Sequence, residues 1–385
     1  MLVLWKNCDV YAPRHIGLQD ILVEGEKIVA VGADLSPWEQ APEIIVRDLG
    51  GAMVCPGFID LHVHVTGGGG EQGPTSRTPE LQLTDFTLNG VTSVVGLLGT
   101  DGISRSVENL LVKCRALEEE GITTWMLTGN YRHPSPTLTG DVQRDVMLID
   151  KVIGVKLALS DHRSSMVNGQ ELARIGAEVR VGGMLGGKPG LAVLHMGSSP
   201  RCMEHLFWVL ENTDVPPRNF LPTHCCRTPE LVADAVRFNQ MGGTIDFTAD
   251  LPESEAGVAA VLCQAIRQGA DPSRITMSSD AGGSQPTFNT KGECIGLGTT
   301  TSATLRQELR RMVHREGIAL ETALTFFTEN PARVLGQTGK KGVIAPGADA
   351  DLLVMDQAYE VRHLMAKGRL AVENGVPLMK GKFEK

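Results

Sequence analysis

The chain has 385 residues, 42% of them hydrophobic and 21% charged, with a formal net charge of −9. These are globular proportions and exclude a disordered or collagen-like protein. The acidic balance, with no basic stripe to displace counterions from phosphates, argues against a nucleic-acid partner, and no apolar run reaches the roughly 18 residues of a membrane span.

Met1 to Lys6 lacks a basic region followed by an apolar core, so no signal peptide is read there. The eight cysteines are scattered without a C-x-x-C pair, which points to reduced thiols and a cytoplasmic location. Cys225-Cys226 could ligate a soft metal, but buried small hydrophobes are the plainer reading.

Residues 1 to about 56 read as all-β, with a hairpin running from Ile21-Leu22-Val23 through Glu24-Gly25-Glu26 to Ile28–Val31. The far end reads the same way, with apolar strands at Asp351–Met355 and Arg369–Val372, then an Asn374-Gly375 turn signal. Neither piece buries both faces alone. Segments 1–56 and 343–385 are therefore expected to pair into a small β-sandwich, with one large domain, 57–342, inserted between them.

Inside that insertion, strand and helix alternate. Candidate strands are 57–65, 91–98, 122–130, 152–160, 191–197, 220–225, 244–249 and 275–280. Helical periodicity intervenes, as at Ser104–Glu120, Pro229–Met241, Ala256–Gln268 and Ser302–Glu316. Eight strand–helix repeats predict an α/β fold of the (β/α)₈ TIM barrel type. A doubly wound open sheet is the rival, but Gly67–Gly70 after the first strand has neither a G-x-G-x-x-G register nor a G-K-[ST]. A flexible active-site loop suits those glycines better.

Chemistry in such a fold sits at the carboxyl ends of the strands. Strict alternation places Asp60, His62 and His64 on one face of the first strand, opposite Ile59, Leu61, Val63 and Val65. Lys156 lies opposite Val155, Leu157 and Leu159, so it points inward. His195, His224 and Asp280 end the fifth, sixth and eighth strands, and Asp280 shares a face with Thr276 and Ser278. His195 has the parity of Leu191 and Val193, so a bulge is expected to turn it. Each residue alone has a plain alternative: a hydrogen-bonded histidine, an ion-paired lysine, a turn aspartate. Together they form a metal site. Lys156 as an ammonium has no lone pair for a metal, but burial near cations favours the amine. A neutral amine can take up carbon dioxide and become a carbamate able to bridge two divalent ions. Imidazole and carboxylate ligands at an open site favour zinc.

D-L-H-V-H after the first strand, the fourth-strand lysine, histidines ending strands five and six, and S-S-D ending strand eight together resemble the amidohydrolase superfamily. The longer strings T-G-G-G-G-E-Q-G-P-T-S-R-T-P-E, S-V-V-G-L-L-G-T-D, I-G-V-K-L-A-L-S-D-H-R, S-S-D-A-G-G-S-Q-P and A-P-G-A-D-A-D-L-L-V-M are similar to the β-aspartyl (isoaspartyl) dipeptidases. The resemblance implies two Zn²⁺ bridged by carboxylated Lys156 and a hydroxide that hydrolyses β-aspartyl dipeptides. It assigns His62, His64, Lys156, His195, His224 and Asp280 to the metals, and Asp280 and Tyr131 to catalysis. Glu71 would hold the substrate ammonium and Arg163 and Arg227 its carboxylates; by resemblance Gly69, Thr100 and Ser284 complete the pocket. A homo-oligomer, an octamer in the family, is implied too. The alternatives are a dihydropyrimidinase- or dihydroorotase-like enzyme acting on a cyclic amide or N-acyl amino acid, and a non-catalytic scaffold relative.

Overall fold

The computed structural model describes residues 2–249, 257–288 and 294–384. Its parallel strands are β1 (Phe58–Val63), β2 (Val91–Gly96), β3 (Thr123–Gly129), β4 (Val152–Leu159), β5 (Leu191–Met196), β6 (Phe220–Thr223), β7 (Ile245–Thr248) and β8 (Ile275–Ser278). The first six form one sheet in chain order, and β7 pairs with β8. Cys225 N–H, just past β6, donates to Asp246 O on β7 at 3.2 Å, while His64 N–H, just past β1, donates to Ala281 O at 2.8 Å. The result is a curled sheet of parallel strands, with helices following the strands.

Those helices include α1 (Leu83–Thr87), α2 (Val107–Glu120), α3 (Val142–Leu148), α4 (Gly169–Gly186), α5 (Glu204–Asn212), α6 (Pro229–Gln240), α7 (Gly257–Arg267) and α8 (Ala303–His314). The first of the expected helices starts late because Ser106 caps it, its hydroxyl accepting Asn109 N–H at 3.2 Å. Thr228 does the same for α6, with Pro229 at the first helical position. The expected start at Ala256 lies outside the described residues. A hairpin, Ser284–Phe288 with Cys294–Thr299, follows β8 and was not expected.

Two apolar layers show which way each strand faces. Ile59, Leu61, Val95, Leu97, Leu127, Ile153, Leu191, Val193 and Leu221 form one cluster. Side chains from six successive strands meet this way only across the concave side. Phe58, Val63, Val65, Val155, Leu157, Leu159, Ala192 and Leu194 belong to the other layer, against the helices.

These layers correct two expectations. Ile59 and Leu61 do not share a face with Val63 and Val65, because the β1–β2 register slips between Asp60 and Val63. That slip turns His62 and His64 to the concave side. His195 needs no bulge: β5 runs without a slip against both neighbours, and Leu191, Val193 and His195 all face inward. A parallel sheet is buried on both faces, so aliphatic side chains do not mark the helix side. Lys156 faces inward as expected, with a register slip near Ile153 separating the two parities.

Both termini share a sheet. Leu2–Tyr11 pairs with His15–Glu24, Ile44–Asp48 and Met53–Pro56, and Met53–Pro56 continues through Leu352–Met355 to Val361–Ala366 and Arg369–Glu373. Hydrogen bonding makes this one nine-stranded sheet, with its own core around Trp5, Cys8, Ile21, Val54, Leu352 and Met365. Asn374 and Gly375 both take positive φ, 51° and 76°, as the tight hairpin turn requires.

Where the terminal sheet joins the rest of the chain, Lys341 is buried and lies 2.7 Å from Asp351 and 2.9 Å from Asp349. Burial alone would lower its pKa; the two carboxylates outweigh it and hold the amine above its ordinary 10.5. The pair therefore contributes stability below that pH and loses it only as pH rises through the raised value. Lys341→Met leaves Asp351 buried without its counterion and should cost about 3–5 kcal/mol. Urea unfolding at pH 7 checks this, and a loss under about 1 kcal/mol would show that the pair is dispensable.

Candidate metal centre and substrate rim

Six side chains from five strand ends converge: His62 and His64 after the β1 slip, Lys156 in β4, His195 in β5, His224 after β6 and Asp280 after β8. All are buried. Lys156 Nζ is 3.1 Å from His62 Nε2. Asp280 Oδ1 is 3.0 Å from His64 Nε2 and 3.4 Å from His62 Nε2. The His224 ring centroid lies 5.0 Å from that of His62 and 4.4 Å from that of His195.

Local backbone geometry is unusual where it matters. His224 and Asp280 take φ of 63° and 55°, a region uncommon for residues with a Cβ and held at functional sites by their surroundings. Thr248 Oγ1 lies 2.7 Å from His224 Nδ1, and the Thr300 hydroxyl donates to the Asp280 carbonyl. Gly282 is required beside them, since a Cβ there would come within 2.5 Å of the His64 carbonyl.

The electrostatics suit metal ligation. Burial, reinforced by Lys156 for His62 and by Arg227 for His195 and His224, keeps these imidazoles well below their usual pKa and therefore neutral. Burial lowers Lys156 to about 7; Asp280 and Asp246 oppose this, while Arg227 and Arg163 add to it. Burial pushes Asp280 upward, but His62, His64 and His224 outweigh it and keep the carboxylate ionised. His64 Nδ1 and His224 Nε2 are buried and make no hydrogen bond, and Asp280 Oδ1 has only the His64 and His62 imidazoles beside it. Such groups are costly unless something completes them. His62, His224 and Asp280 each offer an atom within 4.8 Å of the others. Neutral imidazoles, a carboxylate and an amine open to carboxylation fit a divalent cation site.

His195 stands slightly apart. Its Nδ1 is 2.6 Å from Tyr131 Oη, and its Nε2 is 2.9 Å from Arg227, 3.1 Å from Arg163 and 3.2 Å from Asp161. Burial raises the Tyr131 hydroxyl pKa, so it stays protonated. The guanidinium of Arg163 also lies 5.2 Å from the Tyr131 ring centroid.

The rim gathers the remaining expected residues. Glu71 Oε1 accepts from Thr100 Oγ1 at 3.0 Å and sits 3.2 Å from Arg163 Nη1, while Oε2 accepts from Ser284 Oγ at 3.2 Å. Arg227 Nη1 donates to Met196 O at 2.6 Å. Gly69, at φ 73°, leaves its missing Cβ 3.5 Å from that of Ser284.

Three carboxylates escaped sequence reasoning in whole or part. Asp60 does not share the ligand face: it accepts from Ser279 N–H at 3.1 Å, from the Ser279 hydroxyl and from His62 N–H at 3.3 Å, fastening β1 to β8. Burial raises it to about 7 against those bonds. Asp246 on β7 accepts from Thr223, Thr276 and Ser278 at 2.7, 2.7 and 2.5 Å. Asp161 grips Arg163 through Nε at 2.9 Å and Nη2 at 3.0 Å. The D-H-R string, an acid two places before a strand-end arginine, was the available signal for Asp161; the Thr276/Ser278 face was the signal for Asp246.

The amidohydrolase family model matches residues 212–371. A β-aspartyl dipeptidase from Fervidobacterium islandicum AW-1, solved in complex with a β-Asp-Leu dipeptide, is 42% identical over the full length of both chains, with a TM-score of 0.92. Together with the folded constellation above, this makes the chain a member of the amidohydrolase superfamily. Within it the chain closely resembles the β-aspartyl dipeptidases; a second structure of that enzyme is 40% identical, with a TM-score of 0.91. A dihydroorotase from Lactobacillus johnsonii is 42% identical over 64 residues, 17% of this chain and 14% of that protein. A second, from Ligilactobacillus salivarius, is 29% identical over 134 residues, 34% of this chain and 30% of that one. The chain thus spans less than a third of those curated relatives. The D-hydantoinase of a Thermus species, 18% identical over 100% of this chain and 98% of that one with a TM-score of 0.69, shares the fold.

Proposed function

We propose that the chain hydrolyses β-aspartyl dipeptides with two zinc ions. His62, His64 and Asp280 would hold one, His195 and His224 the other, and Lys156, once carboxylated on Nζ, would add a shared carboxylate ligand. Bound zinc supplies a water that ionises near neutral pH and polarises the scissile carbonyl. Asp280 takes the proton of the attacking water and returns it to the departing amine. Tyr131 donates to the developing oxyanion. To hold a metal through one ring nitrogen, His195 would give up only that nitrogen's contacts, Tyr131 at Nδ1 or Arg163, Arg227 and Asp161 at Nε2. Glu71 holds the α-ammonium, Arg163 and Arg227 the carboxylates, and Gly69, Thr100 and Ser284 close the pocket.

One observation carries this reading: partnerless buried donor atoms lie beneath a rim of two arginines and one glutamate, the charges of a zwitterion with two carboxylates. A dihydroorotase- or dihydropyrimidinase-like reading has the local matches to dihydroorotases behind it, but a neutral dihydropyrimidine uses none of those charges, and dihydroorotate, with one carboxylate and no ammonium, leaves Glu71 and one arginine unused. The filled ligand positions count against a non-catalytic scaffold. Turnover of β-Asp-Leu, set beside hydantoin, dihydroorotate and N-acetyl amino acids, separates the readings; cleavage of a ring without cleavage of the isopeptide would overturn ours. Arg227→Met should lower kcat/KM on β-Asp-Leu by tens-fold, the loss of a charged hydrogen bond worth about 1.5–3 kcal/mol. An unchanged value would remove Arg227 from the pocket.

The same proposal covers architecture and setting. Residues 57–342 form a closed (β/α)₈ barrel, supported by the hydrogen bonds joining β6 to β7 and β1 to the end of β8. Segments 1–56 and 343–385 form a sandwich-like domain, supported by their shared sheet and core. The enzyme is cytoplasmic and homo-oligomeric, an octamer by resemblance. The free, buried thiols of Cys8, Cys55, Cys114, Cys202, Cys225 and Cys263 support the first, and exposed Met147, Leu148, Met184 and Leu185 support the second.

A further inference from the structure

The glycine loop after β1 carries Glu71, and its geometry depends on a residue outside the chemistry above. The loop is a small hairpin: Gly69 bridges Arg77, Gly70 N–H donates to Ser76 O at 3.1 Å and Thr78 N–H to Gly68 O at 3.0 Å. Glu71 stands near its tip. Gly67, Gly69 and Gly70 take φ of 76°, 73° and 100°. Such a segment has much backbone freedom to lose, so something must hold it.

Arg105, between β2 and α2, is 5% exposed. Among the described residues it has no ion pair. Its guanidinium instead donates to three carbonyls at the hairpin base: Nη1 to Thr66 O, and Nη2 to Gly68 O at 3.1 Å and Thr78 O at 2.7 Å. A Cβ on Gly67 would come within 2.5 Å of Thr78 O, 2.7 Å of Pro79 O and 2.8 Å of Arg105 Nη1, so glycine lets the hairpin base and the guanidinium close together there. Thr78 adds a second tie, its Oγ1 accepting Gly68 N–H at 2.6 Å and donating to Gly282 O at 2.6 Å. Arg105 is anchored in turn by the Ser106 cap of α2 and by Asp101, whose Oδ1 accepts Ile103 and Ser104 N–H at 3.0 and 2.8 Å. Burying a guanidinium against carbonyls alone is expensive, and fixing this hairpin is what the arrangement achieves. The half-exposed contacts of Glu71 with Arg163, Thr100 and Ser284 are too weak to hold it unaided.

We propose that Arg105 is a positioning residue that latches the hairpin base and so places Glu71 to receive the substrate α-ammonium. This rests on the dipeptidase reading. The test compares β-Asp-Leu with N-succinyl-leucine, which keeps both carboxylates and lacks only the ammonium. In Arg105→Met, kcat/KM on β-Asp-Leu should fall at least about tenfold, and on N-succinyl-leucine less than about twofold, because only the ammonium site is misplaced. Arg105→Lys should restore part of the loss, and Thr78→Val should show the same selective loss in milder form. Thermal unfolding of each variant monitors folding, and Thr78→Val with Arg105→Lys carries the test if Arg105→Met does not fold. An equal fall on both substrates, or no fall on β-Asp-Leu, overturns the latch. A wild-type enzyme inert toward β-Asp-Leu overturns the dipeptidase reading itself, and the latch with it.

Discussion

Lys156→Ala is expected to lose bound zinc and activity together, by about a thousandfold or more in kcat/KM, which is roughly 4 kcal/mol of transition-state stabilisation. The side chain is fully buried 3.1 Å from His62 Nε2, and burial has brought its pKa down to about 7. An amine in that state is a nucleophile for carbon dioxide, and the carbamate would supply a carboxylate for the proposed pair of cations. Alanine leaves a hole of that shape. Millimolar acetate or propionate should therefore restore part of both metal content and turnover. Undiminished activity in the alanine variant would end the bridging role.

Asp280→Asn is expected to separate proton transfer from metal holding. The carboxylate sits 3.0–3.4 Å from two imidazoles on a strained φ of 55°, and those imidazoles keep it ionised across the working pH range. Asparagine preserves shape and one oxygen donor but takes up no proton. Turnover should fall about 10²–10⁴-fold, the usual worth of a general acid–base group, while much of the zinc stays. Elemental analysis and steady-state rates on one preparation read both. Retained turnover would assign the proton to another group.

Much of this was legible in the sequence because it depends on local pattern. Strand–helix alternation and the strand ends are local, as are His62, His64 and Asp280 at strand termini. What escaped was set by partners distant in sequence. A register slip against β2 decides which way Asp60 points, and no single-strand alternation reports it. His195 was misread because aliphatic residues fill both faces of a buried parallel sheet, so parity alone did not say which side was inside. Asp246 and Arg105 are defined by what they bond across the fold: three hydroxyls from two other strand ends, and three carbonyls of a glycine loop. The termini were recognised as partners by their shared hairpin pattern, while the single nine-stranded sheet follows from the pairing of Met53–Pro56 with Leu352–Met355.

Zinc stoichiometry is the most direct measurement, made on full-length protein purified without chelator and assayed in parallel on β-Asp-Leu. About two zinc ions per chain are expected, falling together with activity in Lys156→Ala. Active protein with no stoichiometric metal, or two bound metals undisturbed by that substitution, would contradict a caged pair of cations at the mouth of this sheet.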